Sequence, residues 1–163
     1  MILPAHISEL AAKLGASLTN KKLWITTAES CTGGGISYAL TDTAGSSAYV
    51  DRCFVTYSNE AKHELLGVNT DVLEQFGAVS KETVEQMVVG AMQAANADVG
   101  IAVSGIAGPG GGSVEKPVGT VWIAIKVLDK LSVNHCLFAG DRAEVRLQVI
   151  EYSLEKAVKL INS

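Results

Sequence analysis

Ile7, Leu10, Ala11, Leu14 and Leu18 recur at helical spacing behind Pro4, so the chain opens on an amphipathic helix. The apolar run Leu23-Trp24-Ile25 breaks that period, and residues 23–28 read as a first buried strand. Ile36, Ala39 and Leu40 restore helical spacing over about 34–43, and Ala44-Gly45-Ser46-Ser47 stops the helix. Tyr49 to Tyr57 is β-rich; Asn59 then caps a short helix over about 60–66 that closes at Gly67. Ser80-Lys81-Glu82-Thr83 opens a longer helix carrying Val84, Met87, Val88, Ala91 and Ala95. Asp98 to Ser104 is a hydrophobic strand, followed by a glycine-rich loop from Gly105 to Gly112. Strands at about 118–128 and 132–138 form a hairpin around Asp129-Lys130, and a final helix covers about 142–161.

Helices and strands alternate through the first two-thirds, and the hairpin comes late. This order predicts an α/β fold, a three-layer α/β/α sandwich with a mixed, largely parallel central sheet. No repeat, linker or low-complexity stretch interrupts it, so residues 1–163 read as one domain. At 48% hydrophobic and 6% aromatic, the core is built from Ala, Val, Ile and Leu. A net charge of −4 without any basic run argues against a nucleic-acid partner held by bulk electrostatics. Apolar stretches fall far short of the ~20 residues that span a bilayer, so no membrane association is expected. Polar residues throughout positions 1–20 leave no signal or transit peptide visible, which points to the cytoplasm. Cys31, Cys53 and Cys136 are widely spaced, as are His6, His63 and His135. That pattern implies a reducing compartment and no structural zinc, and no cofactor is expected.

The candidate chemistry begins at Thr26-Thr27-Ala28-Glu29-Ser30-Cys31-Thr32-Gly33-Gly34-Gly35, a strand leading through a hydroxyl- and glycine-rich turn into a helix. Free backbone N–H groups and a helix N-terminus at one point suit an anion such as phosphate; an ordinary capped connection is the plain alternative. A Walker A loop is absent because no Gly-Lys dipeptide occurs, and the Rossmann glycine spacing fails after Gly35. No histidine lies near a hydroxyl cluster, which makes a Ser/Lys pair the economical nucleophile system. The Ser113-Val114-Glu115-Lys116 match sits between glycines and Pro117, a loop rather than a helix, and reads as coincidental. Lys62 falls at the third position of a helix, where the dipole opposes a cation and favours the neutral amine. Ser30, Ser46, Ser47 and Ser104 are candidate nucleophiles, each equally readable as a cap or turn residue. Tyr57 is a further candidate, and Arg142 suits a phosphate or carboxylate clamp or an ordinary salt bridge.

Seven ordered segments together carry a family resemblance. They are Thr27 to Gly34, Ala44 to Ser47, Phe54 to Lys62, Gly77 to Ser80, Ser104 to Pro109, Lys116 to Val121, and Gly140-Asp141-Arg142. Over about residues 5–160 the chain resembles the CinA C-terminal domain family, whose stand-alone bacterial members are nicotinamide mononucleotide deamidases of the PncC type. The resemblance implies an α/β/α fold, homo-oligomers with dimers first, and metal-free hydrolysis of the nicotinamide carboxamide to nicotinate mononucleotide and ammonia. It places the nucleophile on Ser47 and the base on Lys62, with Ser30 and Tyr57 in support. Thr32, Gly33, Gly34, Ser46, Ser104, Gly105 and Arg142 become the expected substrate-binding set. A catalytically silent nucleotide-binding module and an amidase for another small substrate are the competing expectations.

Overall fold

The computed structural model describes residues 2–163. Helix α1 (Ala5–Lys21) leads to β1 (Ile25–Glu29), α2 (Gly35–Thr41), a single 3-10 turn at Ser46–Ala48 and β2 (Phe54–Val55). Then come α3 (Asn59–Leu66), α4 (Thr70–Phe76), α5 (Lys81–Ala95), β3 (Val99–Gly105), β4 (Thr120–Val127), β5 (Lys130–Leu137) and α6 (Arg142–Ile161). Side-chain caps start several of these helices, because the first turn leaves backbone N–H groups without partners. Ser58 accepts from Ala61 N–H, Ser80 from Thr83 N–H, and Asp141 with Glu144 forms a complete capping box on α6.

The strands lie in the order β2-β1-β3-β4-β5. β2, β1 and β3 are parallel to one another, whereas β3, β4 and β5 are antiparallel neighbours. The antiparallel part therefore reaches one strand further into the sheet than the hairpin alone. Period-2 alternation splits β3 between the two faces: Ile101 and Val103 join one core, and Ala102 joins the other. Helices α1, α2 and α6 cover the first face, with Ile7, Leu14, Leu18, Ile36, Leu40, Val149 and Leu154 packed on Ile25, Ile123 and Ile125. Helix α5, flanked by α3 and α4, covers the second with Val84, Met87 and Val88 on Ala28, Ala102 and Ala124. Small residues on that face bring α5 close. A β-carbon at Gly100 would lie 2.8 Å from Val88 and Met92 side-chain atoms.

Three sequence expectations shift. The β-rich stretch from Tyr49 yields only Phe54–Val55 and one bridge, Val50 to Ile25. Between them Arg52 leaves the ladder, and its carbonyl accepts from the Thr26 hydroxyl at 2.9 Å. Helix α4 is additional; only Leu73 of its seven residues is buried, too few to produce a period. The hairpin turn falls on Leu128-Asp129, one residue early, because Val127 pairs with Lys130.

The chain leaves β1 toward β2 on one side, while β3 lies on the other. The carboxyl end of β1 is thus where the order of parallel strands reverses, the place where open α/β sheets form their crevice.

Candidate active site

Glu29 pairs with Val55 on one side and Val103 on the other, so the next residue of each strand meets at the sheet's carboxyl edge. Those three residues are Thr56, Ser30 and Ser104. Thr56 N–H donates to Glu29 O at 2.8 Å and Ser30 N–H to Val103 O at 3.1 Å, which holds the row in line. Lys62 reaches it from α3. Ser58, not Asn59, caps that helix, so Lys62 is its fourth residue, still within the first turn.

Lys62 is 1% exposed, with its Nζ 3.0 Å from Ser30 Oγ and 2.8 Å from Thr56 O. Burial disfavours the ammonium and lowers its pKa from 10.5 to about 8. A neutral amine there donates to the Thr56 carbonyl and turns its lone pair to the Ser30 hydroxyl. That is the geometry a hydroxyl nucleophile and a base require.

The turn after Ser30 is not an open anion cradle. Its anion is internal. The buried Glu29 carboxylate accepts from Thr27 Oγ1 (3.1 Å), Thr32 Oγ1 (2.6 Å), Ile36 N–H (2.8 Å) and Ser37 N–H (2.9 Å). It therefore takes the N-terminus of α2 that the glycine pattern offers to a phosphate. Thr32 spends its hydroxyl on Glu29, and the turn amides of Gly33 and Gly35 donate to Ser30 O and Thr32 O. Gly33 (φ 57°) and Gly34 (φ 99°) supply left-handed backbone that lets the chain double back within four residues.

Tyr57 and Arg142 form a second element at the same edge. Arg142 donates to Tyr57 OH at 2.9 Å and to Gly108 O at 2.8 Å, joining α6 to β2 and to the glycine-rich loop. Gly105 is a packing residue, since a β-carbon there would lie 2.5 Å from Val121 Cγ2. Ser46 and Ser47 lie elsewhere. Their turn feeds Tyr49 and Val50, which contact Ile25 at the opposite end of β1. Five residues of strand, roughly 16 Å, separate Ile25 from Ser30. Ser47 is exposed there, and within this chain Lys62 meets Ser30 instead.

Three residues of the site have roles that the sequence reading does not assign: Thr56 through its carbonyl, Glu29 as an internal anion, and Arg146. Only strand register and tertiary contact reveal them. Cys31 is buried, and burial pushes its thiol up to about 11, which makes it an inert packed residue. Ser113 and Lys116 belong to a turn in which Lys116 N–H donates to Ser113 Oγ, with the Lys116 amine on Phe76 O. Among the described residues no cluster of three or more His, Cys, Asp or Glu is disposed to hold a metal ion. No helix of the described residues is long and apolar enough to cross a membrane.

A family model described as the CinA C-terminal domain matches residues 7–161. The chain belongs to the CinA C-terminal domain family. Among CinA relatives, the nicotinamide-nucleotide amidohydrolase PncC of Enterobacter agglomerans is 55% identical over 155 residues, covering 94% of each chain. The protein of the same name from Escherichia coli K12 is 48% identical over 153 residues, covering 93% of this chain and 92% of that one. The crystal structure of competence/damage inducible protein CihA from Agrobacterium tumefaciens superposes with a TM-score of 0.96 at 46% identity, covering 100% and 99% of the two chains. The CinA fold, a five-stranded mixed sheet between two helical layers, is thus the fold of this chain.

Proposed function

We propose that this CinA-family chain is a nicotinamide-nucleotide amidohydrolase, which converts nicotinamide mononucleotide and water to nicotinate mononucleotide and ammonia. The Ser30–Lys62 contact of 3.0 Å carries the reading. Near-full-length similarity to proteins named for that activity supports the substrate class.

In this mechanism neutral Lys62 takes the Ser30 proton as Oγ attacks the carboxamide carbon. The tetrahedral intermediate collapses when the lysine ammonium returns that proton to the departing nitrogen, and ammonia leaves an ester on Ser30. Lys62 then draws a proton from water, and the resulting hydroxide attacks the ester. As the Oγ–acyl bond breaks, the lysine ammonium returns that proton to Ser30 Oγ, which releases nicotinate mononucleotide and restores the neutral amine. No step requires a metal. Thr56 O steadies the amine between the two half-reactions. Tyr57 and Arg142 border the same edge and suit the charged remainder of the nucleotide, because guanidinium pairs with phosphate through paired N–H groups. This assignment moves the nucleophile from Ser47 to Ser30 and keeps Lys62 as the base.

The test is ammonia release from nicotinamide mononucleotide by the purified protein, with the product identified as nicotinate mononucleotide. Wild-type inactivity on this substrate with activity on another amide would point to a different amidase. Saturable binding of the nucleotide without turnover would make the chain a binding module.

A further inference from the structure

We infer that Arg146 is a positioning residue that aims the Thr32 N–H as an oxyanion donor for the reaction at Ser30. The inference rests on the amidohydrolase reading above and adds a residue to it.

Arg146 stands on α6, across the first core face from the nucleophile. Its guanidinium donates through Nε to Cys31 O at 3.1 Å and through Nη2 to Thr32 O at 3.1 Å. Both bonds go to successive carbonyls of the site turn, and none of the ion pairs among the described residues includes it. A charged fork is thus committed to orienting two peptide planes.

In a trans peptide the carbonyl and the following N–H point in opposite directions. Holding Thr32 O turns Gly33 N–H away from Arg146, and that group donates to Ser30 O at 3.0 Å. Holding Cys31 O turns Thr32 N–H away in the same manner. Thr32 is 1% exposed, yet its N–H meets no acceptor among the described residues. An N–H left without an acceptor two residues from a nucleophile fits a charge that appears only during reaction. The Thr32 side chain is pinned independently by Glu29 at 2.6 Å, so the peptide is fixed on both flanks. The guanidinium also polarises the Cys31–Thr32 peptide, which strengthens its N–H as a donor. A lysine keeps the charge but lacks the planar fork needed for both carbonyls.

The experiment compares steady-state ammonia release from nicotinamide mononucleotide by the wild type, Arg146→Met and Arg146→Lys, with urea unfolding curves for each. The inference expects kcat to fall roughly 10- to 100-fold in Arg146→Met while KM stays within about threefold. Arg146→Lys recovers only part of the loss, and added guanidinium at non-denaturing concentration restores kcat in Arg146→Met. If Arg146→Met does not fold, Arg146→Lys alone carries the same kcat-against-KM comparison. A kcat within threefold of wild type in the folded variant overturns the inference, as does a loss confined to KM, which would make Arg146 a substrate anchor. Neither result touches the amidohydrolase reading, which fails separately if the wild type itself releases no ammonia.

Discussion

Replacing Lys62 with Met removes the amine and keeps a side chain of similar reach. In the wild type, burial lowers the lysine pKa from 10.5 to about 8, a penalty of roughly 3 kcal/mol on the folded state wherever the unfolded chain carries the ammonium. Lys62→Met escapes that penalty. It also leaves Thr56 O and Ser30 Oγ short of a partner, a cost of roughly 1–3 kcal/mol. Near pH 7 the first term equals or exceeds the second, so the variant is as stable as the wild type or up to about 2 kcal/mol more so. The pH dependence separates them. Because the folded-state pKa is the lower one, the unfolded chain binds more protons between about pH 8 and 10.5. Wild-type stability therefore rises with pH through that window, and the Met variant lacks the rise. Between about pH 7 and 9.5 the wild type gains roughly 2 kcal/mol relative to Lys62→Met. Urea unfolding of both proteins at the two pH values measures this directly. A difference that stays constant within about 0.5 kcal/mol would refute a lysine held near neutrality by burial. Ammonia release by the variant falls at least about 1,000-fold at either pH, since no other basic side chain among the described residues lies on Ser30.

The same depressed lysine sets the rate profile. Only the neutral amine accepts the serine proton, so kcat/KM rises with pH and reaches half its plateau near about 8; a flat profile from about pH 6.5 to 9.5 would exclude Lys62 as the base. Glu29→Gln turns one of the four acceptor contacts into an opposed pair of donors at the start of α2. It lowers unfolding free energy by roughly 2–4 kcal/mol, and a loss below about 1 kcal/mol in urea would show that the buried carboxylate is not what fixes the turn.

How much of this was legible in the sequence depended on how local the determinants are. Helices α1, α5 and α6 bury one face each over many residues, so spacing alone located them. The three-layer fold followed from the order of elements. Strand β2 and helix α4 were not legible to the same degree, because two paired residues and one buried leucine leave no pattern. The site divides along the same line. Lys62 stood out because a cation in the first turn of a helix is misplaced electrostatically. Its pairing with Ser30 did not, since 32 positions separate the two and only the register of β1 with β2 brings them together. Glu29 was hidden inside its own motif. Read as sequence, the turn offers a helix N-terminus to an outside anion; folded, the preceding strand delivers an anion of its own. The family resemblance identified the family correctly and named Ser47, a residue that folding leaves at the far end of β1.

The choice between the two serines is the central claim, and paired turnover measurements decide it. Ser30→Ala and Ser47→Ala are each assayed for ammonia release from nicotinamide mononucleotide at about pH 8.5, with folding verified by urea unfolding. Ser30→Ala is expected to lose at least about 1,000-fold in kcat/KM. Ser47→Ala, at an exposed position at the other end of β1, is expected to stay within about threefold of wild type. Retained activity in Ser30→Ala together with loss in Ser47→Ala would contradict the choice of Ser30.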